Sequence, residues 1–265
     1  MIIAVDHVTT YRYAAPVRGV VQSHRLRPAE HEGQKVLDWG VTVTGGTPGG
    51  SFRDGAGDWV QAWTIRGPVD EIAVHVTGRV ETADTAGVLR GHREWVPPEA
   101  WLRETPATRA DAAIRDLAAV EAGDPLSLAH ALAAAVAEAV VWTPGATGPQ
   151  TTAAEALAAG RGVCQDHAHV LIAAARHRGR PARYVTGYML TDTPEGEAAH
   201  AWAEIHVPGL GWVGFDPANR CCPDTRYVRL GSGFDAQDAA PIRGMARTRA
   251  AEALDVAVAV RSVQQ

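Results

Sequence analysis

The sequence predicts an α+β protein, with an N-terminal antiparallel β region followed by a core in which a cysteine at a helix N-terminus packs on an antiparallel sheet. Three observations carry this reading: residues 1–82 are strand-like and punctuated by glycine, residues 110–178 carry helical patterns, and residues 183–216 return to strand. The corresponding boundaries are 1–95 for the β-rich domain, 96–106 for a linker and 107–265 for the cysteine-bearing core with a C-terminal closing strand.

In the first region Thr9, Tyr11 and Tyr13 alternate, as do Val41 and Val43. Trp59 to Ile65 and Ile72 to Val80 are rich in β-branched and aromatic residues. Gly45-Gly46, Gly49-Gly50 and Gly55-Ala56-Gly57-Asp58 mark turns, so the expectation is a sheet or sandwich of its own, serving as scaffold or substrate edge. Prolines from Val96-Pro97-Pro98 to Thr105-Pro106 mark the linker. Helical spacing follows at Ile114 and Leu117, and at Leu128, Leu132 and Val136. Thr152 to Glu155 has the form of a capping box, and its helix should end near Gly160.

The glycine-loosened turn Gly160-Arg161-Gly162 then delivers Cys164 onto the first turn of a helix that stops before Gly179 and Pro181. The amide hydrogens and positive dipole end of a helix N-terminus favour an anion, which biases a cysteine there toward the thiolate that attacks carbonyl carbon. Arg183 to Leu190 reads as a strand. His200 opens a further strand and Asp216 ends another, the two joined by a Pro/Gly turn. Nucleophile, base and orienting carboxylate are then Cys164, His200 and Asp216.

Register tests this assignment. A plain loop of Pro208 to Gly211 sets Asp216 opposite Ala203, which turns His200 and Asp216 to opposite faces. A triad therefore requires an odd-length loop or a bulge, with Gly211 and Gly214 the candidate bulge sites. The Thr191 to Ala199 segment before His200 reads as a solvated connector, with gating of the site as the alternative. Past Asp216, Gly231-Ser232-Gly233 reads as a turn, and Leu254, Val256, Val258 and Val260 alternate as the closing strand.

At Gly162-Val163-Cys164-Gln165-Asp166, Pro181 to Tyr188, His200-Ala201-Trp202 and Gly211 to Pro217, the chain resembles the bacterial branch of the transglutaminase-like superfamily. The resemblance extends to Thr151 to Leu157, to Pro241-Ile242-Arg243-Gly244 and to the leading β region around Thr9, Tyr11 and Tyr13. It implies a papain-like core with Cys164, His200 and Asp216 at the family's triad positions. It also implies a cysteine-dependent amide or peptide hydrolase working through a thioester, hydrolysis being the commoner activity of bacterial members. An amine-accepting transglutaminase and a noncatalytic binding module are the alternatives. Two positions depart from the pattern. His167 replaces a usual aromatic, and Gly57-Asp58 replaces a usual Gly-Asn turn, a change expected to have no functional consequence.

Trp142 is a candidate indole donor to an oxyanion, as an upstream aromatic is in parts of the superfamily, against the alternative of a buried core tryptophan. Gln165, Asp166 and His169 are further candidates for oxyanion or orienting roles, although a solvated first-turn carboxylate is the ordinary use of a residue like Asp166. His167 and His169 are two apart on a helix and do not face one another, so neither is read as a metal ligand. Cys221-Cys222 lacks the spaced partners of a zinc site, and no calcium-loop pattern occurs. No metal or cofactor is expected.

A formal charge of -5 and a pI near 6.1 argue against nucleic acid as a main partner. The apolar run from Ala131 to Trp142 is too short to span a bilayer, and no secretory signal pattern precedes the first strand. With three cysteines, one of them needed free, the expectation is a cytoplasmic enzyme acting on a peptide or protein amide, without membrane or nucleic-acid partners.

Overall fold

In the computed structural model, residues 1–191, 198–246 and 251–263 are described. Four strands come first: β1 (Ile2–His24), β2 (Gln34–Val43), β3 (Gly46–Arg53) and β4 (Trp59–Thr82). Two short 3₁₀ turns, Pro98–Leu102 and Pro106–Thr108, lead to α1 (Ala112–Leu117), α2 (Pro125–Ala139), β5 (Val141–Trp142), α3 (Ala153–Ala159), β6 (Arg161–Gly162) and α4 (Cys164–His177). The chain continues through β7 (Ala182–Met189), β8 (Ala199–Val207), β9 (Gly211–Phe215), β10 (Tyr227–Gly233), β11 (Ile242–Ala246) and β12 (Glu252–Val263).

The long antiparallel pair β1 and β4 forms the spine of a six-stranded sheet. Each spine strand takes two partners in tandem: β12 and then β11 on β1, β2 and β3 on β4. The sequence reading broke β4 in two, yet the strand runs through Gly67-Pro68, and the irregularity is absorbed by register shifts around Val17 of β1. The sheet is also not the N-terminal region's own. The closing strand expected in the core pairs instead with β1, from Ile2 opposite Val263 to Tyr13 opposite Glu252. Its alternating Leu254, Val256, Val258 and Val260 identified a strand but carried no information about its partner.

The second sheet is antiparallel in the order β10-β7-β8-β9. Helix α4 packs on β7 and β8 and is enclosed on its other sides by α1, α2 and α3. That enclosure explains why Asp166 through Arg176 are all buried: a helix covered on every side needs no polar face. Val170, Leu171 and Ile172 of α4 share a core with Ile114, Leu132 and Phe215. Toward the other end of β7, Tyr188, Val228 and Leu230 join Ile3, Ile65 and Ile72 of the first sheet in a second core.

The helix boundaries follow local chemistry. Asp124 caps α2 by accepting from Leu126 N and Ser127 N at 2.9 and 3.0 Å, with Pro125 at the first helical position. Thr152 and Glu155 form the expected capping box of α3, and Gly160 ends that helix at φ 62°. The proline-rich stretch before α1 is tied down: Trp101 is buried against Phe234 and Trp212, and its carbonyl accepts from Arg176 Nε at 2.9 Å. Gly231-Ser232-Gly233 lies inside β10, where the pairing with β7 shifts register between Arg229 and Gly231. The glycines read as a turn therefore mark a bulge. Among the described residues, no helix is long and apolar enough to cross a membrane.

Candidate active site

Cys164 is the first residue of α4, and the approach to it is tightly specified. Past Gly160, β6 pairs in parallel with β5, Gly162 alongside Trp142, and Val163 is extended at φ −110° and ψ −174°. Asp166 then reaches back over the first turn: its Oδ2 accepts from Val163 N at 2.8 Å and from Thr147 Oγ1 at 2.6 Å. Gly162 makes room for that carboxylate, since a Cβ there would lie 2.6 Å from Asp166 Oδ2. The solvated carboxylate expected at this position is instead 1 % exposed and braces the nucleophile's turn. Cys164 itself is partly exposed.

The hairpin that carries the other two groups has an odd-length loop. Val207 pairs with Gly211, leaving Pro208, Gly209 and Leu210 between the strands. Leu210 N donates to Val207 O at 3.1 Å across Pro208 and Gly209, and Gly209 and Gly211 take φ of 84° and 86°, which only glycine adopts readily. The pairing runs without a register shift from Gly211 to Phe215, so the odd loop, which Gly211 closes at positive φ, supplies the register, and Gly214 is an ordinary pairing position. Continuing this register sets Asp216 across from Trp202, on the same face as His200 and one diagonal step from it. The result is a contact of 2.6 Å between His200 Nε2 and Asp216 Oδ2.

Burial favours a neutral ring at His200, but its hydrogen bonds and charge interactions with Asp216 and Cys164 outweigh that and push its pKa up to about 10. Nε2 is committed to Asp216, which leaves Nδ1 as the ring nitrogen open to Cys164. Burial likewise opposes the charge on Asp216, yet the hydrogen bond and charge of His200, with Asn219 and Tyr227, hold its carboxyl below the usual carboxylate range. The arrangement sets a cysteine and a carboxylate on either side of the His200 ring.

Sequence reasoning missed two neighbours. Asn219 Nδ2 donates to Asp216 Oδ2 at 2.7 Å, and the Tyr227 hydroxyl donates to the same oxygen at 2.7 Å. Asn219 was findable, because a side-chain amide three residues after an aspartate in a turn is placed to return to it. Tyr227 arrives from β10 across the sheet, and no local pattern signals that. Trp202 completes the surround, its ring stacked on His200 at 6.4 Å between centroids.

The remaining candidates are more distant. Trp142 sits beside Gly162 on the strand pair leading to Cys164, and at 48 % exposure it is not the buried core tryptophan of the alternative reading. Gln165 Nε2 donates to Pro149 O at 3.4 Å. His169 Nε2 accepts from Ala236 N at 3.0 Å, and burial holds its pKa at about 4, so the ring is a neutral packing group beneath Tyr184. His167 places its two ring nitrogens 2.9 Å from Val163 O and 2.8 Å from Val140 O, tying the start of α4 to the end of α2. Cys221 and Cys222 are free, and burial pushes both thiols up. Residues 192–197 of the segment before His200 lie outside the described residues. Among the described residues no cluster of three or more His, Cys, Asp or Glu side chains is arranged to hold a metal ion. A groove of about 360 Å³ opens beside Asp216, lined by His130, Ala133, Ala137, Phe215, Pro217 and Arg220.

Residues 115–217 match the family described as the Transglutaminase-like superfamily, and residues 3–81 match the Bacterial transglutaminase-like N-terminal region. A Mycobacterium leprae (strain TN) protein described as "Uncharacterized protein ML0607" is 30 % identical over 284 aligned residues, covering 97 % of each chain. "Uncharacterized protein Rv2569c" of Mycobacterium tuberculosis (strain ATCC 25618 / H37Rv) is 40 % identical over 128 residues, 44 % of this chain and 41 % of that one. A crystal structure described as "a Putative Cysteine Protease from Cytophaga hutchinsonii" superposes with a TM-score of 0.76 at 22 % identity, covering 100 % of this chain and 92 % of that one. The shared fold is the transglutaminase-like core preceded by an antiparallel sheet.

Proposed function

We propose that this chain, which belongs to the transglutaminase-like superfamily and carries its bacterial N-terminal region, is a cysteine-dependent amide or peptide hydrolase acting through a thioester on Cys164, His200 and Asp216. The observation that carries the proposal is the 2.6 Å contact between His200 and Asp216, which leaves the other ring nitrogen for a cysteine at a helix N-terminus.

The protonated ring at His200 and the first-turn amides of α4 both face the Cys164 sulfur, the setting in which a cysteine acts as a nucleophile. Sulfur attacks the amide carbonyl and an oxyanion forms against the Cys164 backbone amide and one further donor, for which Trp142 on the adjacent strand is the candidate. Such a geometry is worth roughly 3–4 kcal/mol of barrier. His200 passes its proton to the departing amine, the C–N bond breaks, and an acyl-thioester remains. Water then gives up a proton to His200 and attacks the thioester, which releases the acid and restores the pair. Asp216 keeps the ring oriented through both halves. The groove beside Asp216 offers room for a substrate side chain. The substrate is a peptide or protein amide, and the reduced cytoplasm is the compartment that suits a free nucleophilic thiol.

The test is cleavage of a peptide library by wild type and Cys164→Ala, with a labelled primary amine present in a parallel reaction. Cleavage lost in the variant supports the proposal. Equal activity in both excludes the covalent route, and incorporation of the amine in preference to hydrolysis reassigns the enzyme as a transglutaminase.

A further inference from the structure

We infer that Tyr227 and Asn219 are positioning residues of this site: together they hold Asp216 as an oriented carboxylate, and the protonation state of His200 depends on them. The inference rests on the triad reading above and extends it to two residues outside the triad.

Asp216 Oδ2 is a shared acceptor. It takes His200 Nε2 at 2.6 Å, Asn219 Nδ2 at 2.7 Å and the Tyr227 hydroxyl at 2.7 Å, while Asn219 N approaches the second oxygen, Oδ1, at 3.3 Å. The carboxylate is 1 % exposed, so water does not supply these bonds, and a buried carboxylate keeps its charge only when donors surround it. The turn that presents Asn219 is closed by two backbone bonds between Asp216 and Cys221, at 2.8 and 3.2 Å. The Tyr227 hydroxyl carries a single hydrogen. It gives that hydrogen to Asp216, so in the 3.3 Å contact with Cys221 Sγ the thiol is the donor and the phenol oxygen the acceptor. The Tyr227 ring also stands at 63° to the His200 ring, 5.9 Å between centroids, and at 85° to Trp202, which fixes the imidazole plane from a second side.

The titratable groups around Asp216 are therefore His200 from β8, Tyr227 from β10 and Cys221 from the intervening loop, with Cys164 of α4 beyond the ring. Removing the phenol hydroxyl takes a donor from the carboxylate, so Asp216 accepts a proton at higher pH. Once it is neutral, His200 loses its counter-charge and Cys164 loses its imidazolium partner. The acid side of the activity profile therefore moves upward.

The experiment compares wild type, Tyr227→Phe, Asn219→Ala and Cys221→Ser in two readouts: the pH dependence of Cys164 alkylation by iodoacetamide, and the far-downfield proton of the His200–Asp216 bond by NMR. For Tyr227→Phe the acid limb is expected to rise by about one pH unit, so that at a given pH on that limb the rate falls about tenfold, with the downfield proton lost to exchange at correspondingly higher pH. Asn219→Ala, at an exposed position where folding is not at stake, is expected to move both readouts in the same direction. Cys221→Ser keeps a donor to the phenol and should leave both unchanged. Unchanged profiles and an unchanged downfield proton in both Tyr227→Phe and Asn219→Ala overturn the inference. A wild-type Cys164 that does not react overturns the proposed function instead, and the NMR readout still decides whether Tyr227 and Asn219 hold Asp216.

Discussion

The Asp58 carboxylate lies 2.7 Å from Nη1 of Arg229, with both side chains buried, and so links the loop between β3 and β4 to strand β10 of the core. Ser232 adds two donors to the other oxygen, and Arg229 also pairs with Glu204, which in turn holds Arg183 at 2.6 Å. Arg183 reaches on to Glu94 and lies over Trp212 at 4.0 Å. Burial opposes the charges on Asp58 and Glu204, but the two arginines hold both carboxyls low, Glu204 at about 2.

Breaking this network from one side leaves a buried cation short of its partner. Asp58→Ala should cost about 3–5 kcal/mol of unfolding free energy, measured by urea denaturation. A loss below about 1 kcal/mol would show that the pair is not what fastens the N-terminal sheet to the core.

Stability should peak near neutral pH. Burial holds His7, His24, His31 and His169 at pKa values of about 4, so the folded protein keeps them neutral while the unfolded chain takes up protons below roughly 6.5. Their stabilisation is present above that pH and is lost as pH falls toward 4. Glu204 adds a loss at still lower pH, as it approaches its value of about 2. His200 has the opposite sign: raised to about 10, its contribution is full below roughly 6.5 and disappears as pH rises through 10. Urea midpoints from pH 4 to 10 check the shape, and a midpoint that rises on going from pH 7 to pH 5 contradicts it.

Much of the site was legible from local strings. The glycine turn before Cys164, the capping box of α3 and the even register needed by His200 and Asp216 are all properties of short segments, and the three-residue loop supplies that register. What escaped depends on distant partners. Asp58 read as a turn residue because its neighbours are glycines, while the arginine that gives it its role lies 171 positions away. Gly231 read as a turn because glycine marks bulges and turns alike. The strand β12 was recognisable, but only tertiary packing decides that it joins β1.

Asp166→Ala removes the carboxylate that ties Val163 N to Thr147. The expected result is a loss of about 1–2 kcal/mol in stability, as for a helix cap, together with slower alkylation of Cys164 because its turn is no longer braced. Thermal melting and labelling rates measured on the same sample test both, and an unaltered labelling rate would leave Asp166 with a role in folding alone.

Asp216→Asn preserves shape but not charge. It should lower turnover by about 10³–10⁴-fold through the wrong imidazole tautomer, with substrate affinity little changed, whereas His200→Ala should abolish thioester formation. Rapid-quench detection of the acyl-enzyme separates the two, and an Asp216→Asn enzyme with wild-type turnover removes the carboxylate from the mechanism.

The most direct test of the central claim is the pH dependence of Cys164 alkylation in wild type and His200→Ala, with the modified site located by mass spectrometry. A cysteine paired with His200 should react faster in the wild type than in the variant on the acid side of neutrality, with the difference closing as pH rises. Superimposable profiles in the two proteins, or labelling confined to Cys221 and Cys222, would contradict it.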